Sequence, residues 1–292
     1  MVSHVPRHEL RNMLVPGAAL LLPGVANALA ARVVADQGFA AAYVTGAGIA
    51  NTFLGIPDVG LVTVSELAAH VAAIREAFAG PLVVDADTGF GNAVNVARTV
   101  QLLERAGADA LQIEDQVFPK RCGHFAGKAV IPGTEMVAKI KAAVDTRRDR
   151  DLLIIARTDA IEPEGYFAAI ERAAAYREAG ADVTFVEAPT SLEQIADIPR
   201  RLPWPQLINI VIGGRTPELP NAKLKEWGYA GVIYANVALQ SALKGMQAAL
   251  GELRRRGHMG EALNLVMDFS ERQRLVQKDQ FDALERKYVA KE

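Results

Sequence analysis

The sequence predicts a (β/α)8 barrel, and three observations support this fold class. Eight short apolar segments alternate with helical segments almost to the end of the 292-residue chain. Near-continuous apolar strands joined by helical crossovers indicate a parallel sheet that is covered on both faces. Eight such units favour a closed barrel over an open doubly wound sheet. No G-x-G-x-x-G motif follows the first strand, which weakens a dinucleotide-binding interpretation.

The first unit is predicted to be a strand at residues 18–22, a turn at Pro23-Gly24 and a helix from about Ala26 to Gln37. This apolar run follows arginines and resembles a signal peptide, but the Pro-Gly pair interrupts it. The other predicted strands are 41–45, 81–85, 110–114, 152–156, 183–187, 206–209 and 231–234. The helices predicted between them include 93–106, 134–146 and 166–179.

Three helices end in a similar way, with a glycine a few residues before the next strand. These glycines are Gly38, Gly107 and Gly180. Glycine is the residue that most readily adopts the left-handed conformation at a helix C-terminus. The pattern therefore predicts a C-cap at each position, followed by a buried strand.

We expect one barrel domain over residues 1–292, with 260–292 as a C-terminal helical extension beyond what barrel closure needs. Phe269, Leu275, Phe281 and Leu284 would anchor this extension on the barrel exterior or on a partner subunit.

Composition excludes several classes of protein. The net charge of −2 and the absence of a basic block argue against a nucleic-acid partner. No segment is long and apolar enough to span a bilayer, which argues against a membrane protein. A single cysteine cannot form an internal disulfide and fits a reducing cytosol, so we expect a cytoplasmic protein.

The acidic residues at two neighbouring strand ends predict a metal site. In a barrel the active site lies at the carboxyl ends of the strands. Asp85 and Asp87 end the third strand and Glu114 ends the fourth. Acids converging on one mouth repel each other unless a cation lies among them, and oxygen ligands suit Mg²⁺ or Mn²⁺. The alternative is that an acid such as Asp87 caps the following helix.

The other strand ends carry polar groups suited to an anionic substrate. Arg157 offers a planar fork for a carboxylate, or a structural ion pair with Glu187 or Asp159, or both. Asn209 and Tyr43 end two further strands. The backbone N–H groups of Thr45-Gly46-Ala47-Gly48 could hold an anionic oxygen, although small residues also serve tight turns.

A short polar segment, Lys120-Arg121-Cys122-Gly123-His124, follows the fourth strand. A thiol flanked by cationic side chains favours the reactive thiolate. Gly123 and Gly127 predict a mobile loop that brings a proton donor or nucleophile to the site. The alternative is a solvated, charged loop with an incidental cysteine.

Taken together, these segments resemble the isocitrate lyase / phosphoenolpyruvate mutase superfamily over nearly the whole chain, and the Cys122 segment resembles its lyase branch. The matching residues are Tyr43-Val44-Thr45-Gly46, Pro57-Asp58, Asp85 to Gly91, Ile113-Glu114-Asp115-Gln116, Lys120 to His124, Ala156 to Ala160 and Glu187-Ala188-Pro189.

The resemblance implies Mg²⁺-dependent cleavage, with Mn²⁺ as the alternative ion, of the C2–C3 bond of a 2-hydroxy di- or tricarboxylate. Asp85, Asp87 and Glu114 would hold the metal ion, partly through water. Cys122 would protonate the enediolate fragment, and the other catalytic residues would be Lys120, His124, Arg157 and Glu187. Substrate binding would involve Tyr43, Thr45, Gly46, Ala47, Asp58, Gly123 and Asn209. The chain would form a homo-oligomer, a tetramer built as a dimer of dimers, in which the C-terminal helices could be exchanged between subunits.

Departures from the superfamily pattern bear on the substrate. Phe125 follows His124 where methylisocitrate lyases typically have arginine, and Val211 and Ile212 stand where they have polar groups. The motif Gly213-Gly214-x-Thr216-Pro217 is closer to those of 2,3-dimethylmalate lyase, 2-alkylmalate lyase and oxaloacetate hydrolase. In those enzymes a glutamate usually occupies the position of Ile212.

We therefore expect a lyase for a dicarboxylate of the 2-alkylmalate type. The alternatives on the same scaffold are an oxaloacetate hydrolase, a methylisocitrate lyase and a phosphonate-forming phosphomutase. A non-catalytic carboxylate-binding paralogue is a further alternative that the acids, Cys122 and Arg157 argue against.

Overall fold

The computed structural model describes residues 7–121, 123 and 127–289, and the strands of this part close into one barrel. Each strand pairs in parallel with the next, and the last pairs with the first. The strands are β1 Leu20–Val25, β2 Ala42–Val44, β3 Leu82–Asp85, β4 Ala110–Glu114, β5 Leu153–Thr158, β6 Val183–Val186, β7 Gln206–Asn209 and β8 Gly231–Tyr234. The predicted (β/α)8 architecture is confirmed.

Helices cover the outside of the barrel and continue beyond it at the C-terminus. They are α1 Arg7–Met13, α2 Ala28–Asp36, α3 Gly46–Ile49, α4 Val64–Ala77, α5 Ala93–Ala106, α6 Gly133–Thr146, α7 Ile161–Glu164, α8 Tyr166–Glu178, α9 Leu192–Arg201, α10 Asn221–Trp227, α11 Val237–Arg256, α12 Phe269–Leu275 and α13 Lys278–Tyr288. A π-helical turn, Ala50–Leu54, follows α3, and a 3-10 turn, Leu263–Leu265, precedes α12.

Alternation along the strands separates two apolar layers. Val83, Ile155 and Phe185 belong to a cluster that fills the barrel interior, whereas Val84 and Ile154 pack under the helices. At the carboxyl ends the interior side chains become polar, and the strand register pairs Asp85 with Gln112 and Glu114 with Arg157. The register therefore brings charged residues of three adjacent strands side by side.

The predicted Pro23-Gly24 turn is wrong, because both residues lie inside β1. Pro23 is the last residue of β1 paired with β8, and Gly24 pairs with Tyr43 of β2. A Cβ atom at Gly24 would lie 1.8 Å from the backbone oxygen of Ala235. The glycine thus permits close approach of two backbones inside the barrel, which is a known use of glycine in strands.

The predicted glycine C-caps are confirmed. Gly38, Gly107 and Gly180 have φ angles of 76°, 104° and 107°. Each lies just after its helix, where the left-handed conformation ends the helical hydrogen-bond pattern.

The C-terminal extension is helical, as predicted, but only one of its four expected anchors is buried. Leu275 is buried, and Arg274 of α12 pairs with Asp36 of α2 on the barrel exterior. Phe269, Phe281 and Leu284 are exposed. Within the described part of the chain, no helix has the length and apolarity needed to cross a membrane.

Candidate active site

The carboxyl ends of the strands enclose a cavity of about 30 Å³. Its walls come from nearly every strand end and from the segment after β4. The lining residues are Tyr43, Thr45, Ala47, Asp58, Asp85, Lys120, Arg121, Gly123, Arg157, Glu187, Asn209, Val211, Ala235 and Asn236. Most of the site residues expected from the sequence therefore meet at one place.

Asp85 and Asp87 both face Gly46 at the start of α3. A Cβ atom at Gly46 would lie 3.1 Å from Asp87 Oδ1 and 3.3 Å from Asp85 Oδ2. Asp85 Oδ1 accepts hydrogen bonds from the backbone N–H of Asp87 at 3.1 Å and from Gln112 Nε2 at 3.3 Å. Asp85 Oδ2 has only a long contact of 3.4 Å with the N–H of Gly46. The two carboxylates thus leave oxygen atoms directed into one space that a side chain at position 46 would fill.

Asp87 does not cap the following helix, because the side chain of Asn92 caps α5. Asp87 instead pairs with the buried ammonium group of Lys120 at 2.8 Å, and that group also lies 2.6 Å from Asp58. Burial raises the pKa of Asp87 to about 6, although the charge of Lys120 acts in the opposite direction. Burial would lower the pKa of Lys120, but Asp87 and Asp58 hold it well above its ordinary value.

Glu114 carries a carboxylate oxygen that has no partner among the described residues. Its side chain is 2 % exposed, and Oε2 lies 3.3 Å from Arg157 Nε. Oε1 is buried and accepts no hydrogen bond from any described residue. Burial raises the pKa of Glu114 well above its usual range, and the charge of Arg157 only partly opposes this. A buried acceptor without a partner is costly, so Glu114 is poised to receive a cation or a hydrogen-bond donor.

Arg157 has a structural partner as well as a place in the cavity wall, and its role in binding a carboxylate stays a prediction. Nε and Nη2 donate to the two oxygens of Asp159 at 2.8 and 3.0 Å. Burial alone would raise the pKa of Asp159, but the charges of Arg157 and Lys128 hold it at about 2. Asp115 supports this pair from behind by accepting a hydrogen bond from the N–H of Asp159 at 2.9 Å.

The second strand and the turn that follows it contribute an aromatic hydroxyl and a helix start. The hydroxyl of Tyr43 donates to Gln112 Oε1 at 3.1 Å, which links it through Gln112 to Asp85. Thr45 Oγ1 accepts from the N–H of Gly48 at 3.2 Å and caps α3. Because Gly46 N–H faces Asp85 and Gly48 N–H faces Thr45, Ala47 is the member of this turn that can offer its N–H to the cavity.

Two other predicted residues face each other across β6 and β7. Asn209 Nδ2 lies 3.5 Å from Glu187 Oε1, and Glu187 Oε2 lies 3.8 Å from Arg157 Nη1. The second amide atom, Asn209 Oδ1, is buried and accepts no hydrogen bond from a described residue. This wall of the cavity therefore retains an unused amide oxygen.

The segment after β4 covers the cavity. Cys122 and His124 fall outside the described residues, as does Phe125. Gln116 fixes the segment by bonding both the N–H and the carbonyl of Arg121, at 3.0 and 2.8 Å. A Cβ atom at Gly123 would lie 2.3 Å from Arg157 Nη2. In this structure Gly123 thus serves close approach to Arg157; the mobility of the loop stays a prediction.

Several lining residues were not expected from the sequence. Asn236 lies between β8 and α11, two residues after the end of β8, and its Oδ1 is buried without a hydrogen-bond donor among the described residues. The expectation that site residues lie at the carboxyl ends of barrel strands, applied to β8, would have identified it. Val211 was expected from its place after β7 and does line the cavity, whereas Ile212 beside it is 46 % exposed and points elsewhere.

Asp85, Asp87 and Glu114 are not arranged as a complete set of metal ligands. Across residues 7–121, 123 and 127–289, no group of three or more Asp, Glu, His or Cys side chains is arranged to hold a metal ion. The physical reason is that Lys120 lies against Asp87 and Arg157 against Glu114, so protein cations occupy part of the acidic surface. Mg²⁺ differs from other ions in using one or two carboxylates while it retains several waters.

Comparison with known proteins places this geometry in context. A family model described as phosphoenolpyruvate phosphomutase matches residues 10–254. The chain is 43% identical over 281 residues to a 2,3-dimethylmalate lyase of Eubacterium barkeri, a match that covers 96% of this chain and 97% of the relative. It is 46% identical to a 2-methylisocitrate lyase of Aeropyrum pernix, covering 89% of this chain and 83% of that protein.

Solved structures agree with these relatives. A crystal structure of 2,3-dimethylmalate lyase, a PEP mutase/isocitrate lyase superfamily member, superposes with a TM-score of 0.90 at 36% identity, covering 98% of this chain and 95% of that one. A phosphonopyruvate hydrolase in complex with oxalate and Mg²⁺ superposes with a TM-score of 0.88 at 29% identity, covering 97% and 99%.

Proposed function

The chain belongs to the phosphoenolpyruvate phosphomutase family, and from that membership we propose that it is a Mg²⁺-dependent lyase for a 2-hydroxy dicarboxylate of the 2-alkylmalate type. The resemblance to this superfamily, noted from the sequence, is confirmed. In the proposed reaction the 2-hydroxyl group loses its proton and the C2–C3 bond breaks. One fragment leaves as a 2-oxo acid, and the other leaves as a carboxylate once its enediolate carbon has been protonated.

The observation that supports the metal assignment is the group of acids in and beside the cavity. Six carboxylates and four cationic side chains lie there, and a divalent cation would favour the ionised form of Asp87 and Glu114, whose pKa values burial raises. The carboxylates are Asp58, Asp85, Asp87, Glu114, Asp159 and Glu187, and the cations are Lys120, Arg121, Lys128 and Arg157.

The individual oxygen atoms fit Mg²⁺ as well. Asp85 Oδ2 has only a long contact, and Glu114 Oε1 has no partner among the described residues. We propose that Asp85, Asp87 and Glu114 would hold the ion, partly through water, with Mn²⁺ as the alternative ion. When bound, a divalent cation stabilises negative charge that develops on the oxygen atoms of the oxo acid.

The chain's own side chains suit the rest of the substrate. Arg157 presents a guanidinium group to the cavity and is kept in place by Asp159, so it is preorganised for a carboxylate. Val211, Ala235 and Ala47 provide an apolar surface for an alkyl substituent. Burying a further ionised carboxylate against such groups without a partner costs more than burying a neutral polar group, for which the cost is roughly 2–7 kcal/mol. This difference favours an alkyl dicarboxylate over a tricarboxylate.

Protonation of the carbanion fragment falls to Cys122 in this proposal. Its sequence neighbours Lys120 and Gly123 line the cavity, so the cysteine belongs to the segment that covers the substrate. The cavity of about 30 Å³ is too small for a dicarboxylate, and we propose that this segment moves outward to admit the substrate. Its return excludes water, which protects a carbanion from unwanted protonation.

The second candidate is methylisocitrate cleavage, which the identity of 46% with a 2-methylisocitrate lyase favours. A panel of substrates separates the two: 2-methylmalate, 2,3-dimethylmalate, 2-methylisocitrate, isocitrate and oxaloacetate, each with Mg²⁺ and with EDTA. We expect the highest specificity constant for an alkylmalate and no turnover with EDTA. A higher value for 2-methylisocitrate would contradict the dicarboxylate assignment, and release of oxalate from oxaloacetate would indicate a hydrolase.

The same assay tests the proton donor. A serine hydroxyl is a much weaker acid than a thiol, so Cys122→Ser should lower kcat by roughly 10²–10⁴-fold. Substrate binding, which depends on Arg157 and the metal ion, should largely survive. Near-normal turnover with an unchanged Tm would remove Cys122 from the mechanism and with it the main reason to prefer a lyase over a mutase.

We further propose that the chain assembles as a homotetramer, as the superfamily resemblance implies, and that it works in the cytoplasm. A single cysteine fits a reducing compartment. The exposed apolar residues of α11 and of the C-terminal extension support assembly.

A further inference from the structure

Lys128 carries a buried ammonium group that the proposed reaction does not use. Its side chain is 1% exposed, Nζ lies 2.6 Å from the carbonyl oxygen of Gly123, and it lies 3.1 Å from Asp159 Oδ1. Lysine is almost never fully buried unless its charge is paired. The position of this group therefore reflects a specific requirement.

Neutralising Asp159 accounts for only one of the two contacts of Lys128. Arg157 already supplies two hydrogen bonds to the Asp159 carboxylate. The shorter of the two contacts of Lys128, at 2.6 Å, goes to the backbone carbonyl of Gly123, which precedes it in the same segment after β4. Hydrogen bonds from charged donors are about twice as strong as neutral ones, so this contact fixes the carbonyl in place.

The carbonyl that Lys128 bonds belongs to Gly123, which lies against Arg157. The close approach of Gly123 to Arg157 Nη2 leaves no space for a Cβ atom. Lys128 thus donates to the carbonyl of Gly123 and to Asp159, the partner of Arg157. The two residues of the close contact, Gly123 and Arg157, are therefore both held through the same ammonium group. A shift of about 1 Å in such an arrangement can cost on the order of 10²-fold in rate.

We propose that Lys128 is a positioning residue, which holds the backbone at Gly123 against the Arg157–Asp159 pair and thereby fixes both Arg157 and the segment after β4 at the cavity. The inference rests on the proposed function for its catalytic consequence, but the anchoring itself is independent of the substrate.

The test compares Lys128→Met with Lys128→Arg, which keeps the charge. Lys141→Met, an exposed lysine of α6, serves as the matched control. With an alkylmalate substrate and saturating Mg²⁺, Lys128→Met should lower kcat by about 10–100-fold, the range usual for residues that orient a catalytic group. KM should change less, and Lys128→Arg should restore part of kcat.

A second readout needs no turnover. Cys122 is the only cysteine, so the rate of alkylation by iodoacetamide reports on this segment alone. Lys128→Met should be alkylated several-fold faster than the wild type, and Lys141→Met at the wild-type rate. Circular dichroism and Tm show the folded fraction of each variant.

The outcomes separate this inference from the proposed function. A wild type inactive on every substrate of the panel overturns the proposed function, while the alkylation rates still test the anchor. Wild-type kcat and alkylation rate in folded Lys128→Met would overturn the inference. A loss of activity that only tracks loss of folded protein, with Lys128→Arg equally unfolded, would likewise assign Lys128 to stability and overturn it.

Discussion

Asp87 shows at the scale of a single residue how the site is prepared for a cation. Its carboxylate is buried, and burial raises its pKa to about 6 even though Lys120 lies 2.8 Å away. Burial also raises the pKa of Glu114. The charged form of each acid is thus disfavoured until a positive charge arrives. A metal ion and a proton would compete for the same oxygens.

This competition predicts the pH dependence of metal binding. Because the pKa of Asp87 is about 6, the acid is ionised above that pH and protonated below it. Mg²⁺ must displace the proton below pH 6, so its affinity should fall by up to about tenfold for each pH unit. Titration calorimetry at pH 5, 6, 7 and 8, in buffers of different ionisation enthalpy, measures both the affinity and the protons released.

Asp87→Asn is the control, because it removes the titrating group and keeps the shape. It should bind Mg²⁺ more weakly, with a flatter pH dependence between 5 and 7. Equal Mg²⁺ affinity of the wild type at pH 5 and pH 8, without proton release, would show that Asp87 lies outside the metal site.

The expectation that site residues lie at strand ends predicted the charged cluster because register and alternation fix where a strand's last side chains point. Asp85, Arg157 and Asn209 line one cavity, as this reasoning expected, and Glu114 lies next to it against Arg157. It did not identify Lys128, because the path of the loop after β4 decides where that ammonium group lies, and no periodic pattern encodes that path. Composition cannot distinguish a buried anchor from a solvated lysine.

Among the secondary-structure elements, β4, β7 and β8 have the predicted bounds, whereas β1 differs. Local propensity favoured a turn at Pro23-Gly24, since Pro-Gly pairs are strong turn signals. Barrel closure overrides it: Pro23 pairs with Tyr234 and Gly24 with Tyr43. The contact between Gly24 and Ala235 connects residues more than 200 positions apart, so no local pattern could have indicated it.

This contact predicts a sharp effect of Gly24→Ala. The new Cβ would meet a backbone oxygen at 1.8 Å, and a backbone atom within a closed barrel cannot move aside easily. We expect a loss of at least about 3 kcal/mol in the free energy of unfolding, at the upper end for overpacked sites. Urea unfolding followed by circular dichroism measures it.

Gly251→Ala is the matched control, because Gly251 lies in α11 with no atom within 4 Å of its Cβ position. This variant should be neutral or more stable by up to about 1 kcal/mol, since alanine favours a helix over glycine. Equal stability of Gly24→Ala and the wild type would mean that β1 and β8 can separate at this point without cost.

At the scale of the whole molecule, the most unusual feature is a long helix with no buried residue. Helix α11 has 20 residues, and none of them is buried. Leu243, Met246, Leu250 and Leu253 are exposed and recur at intervals of three and four positions, which places them on one face. A stripe of this kind indicates a surface that packs against a partner.

The sequence predicted an extension that exceeds barrel closure, and its apolar residues indicated a partner or the barrel exterior. The structure assigns Leu275 to the exterior of the same barrel and leaves the other three anchors exposed. Their contacts could not be predicted from the sequence of one chain, because that sequence does not show whether an apolar side chain packs within its own subunit or against a second one.

We therefore predict that the protein is a homo-oligomer and that the α11 stripe contributes to its interface. Met246→Lys with Leu250→Lys would place two charges inside that interface, and desolvating unpaired charges costs several kcal/mol. The double variant should shift to a smaller species in light scattering coupled to size exclusion, at micromolar concentration.

Ser241→Lys with Ala248→Lys adds the same charge to the opposite face of α11 and should keep the wild-type mass. A monomeric wild type would refute the prediction, and an unchanged mass of the double variant would assign the interface to the exposed residues Phe269, Phe281 and Leu284 instead.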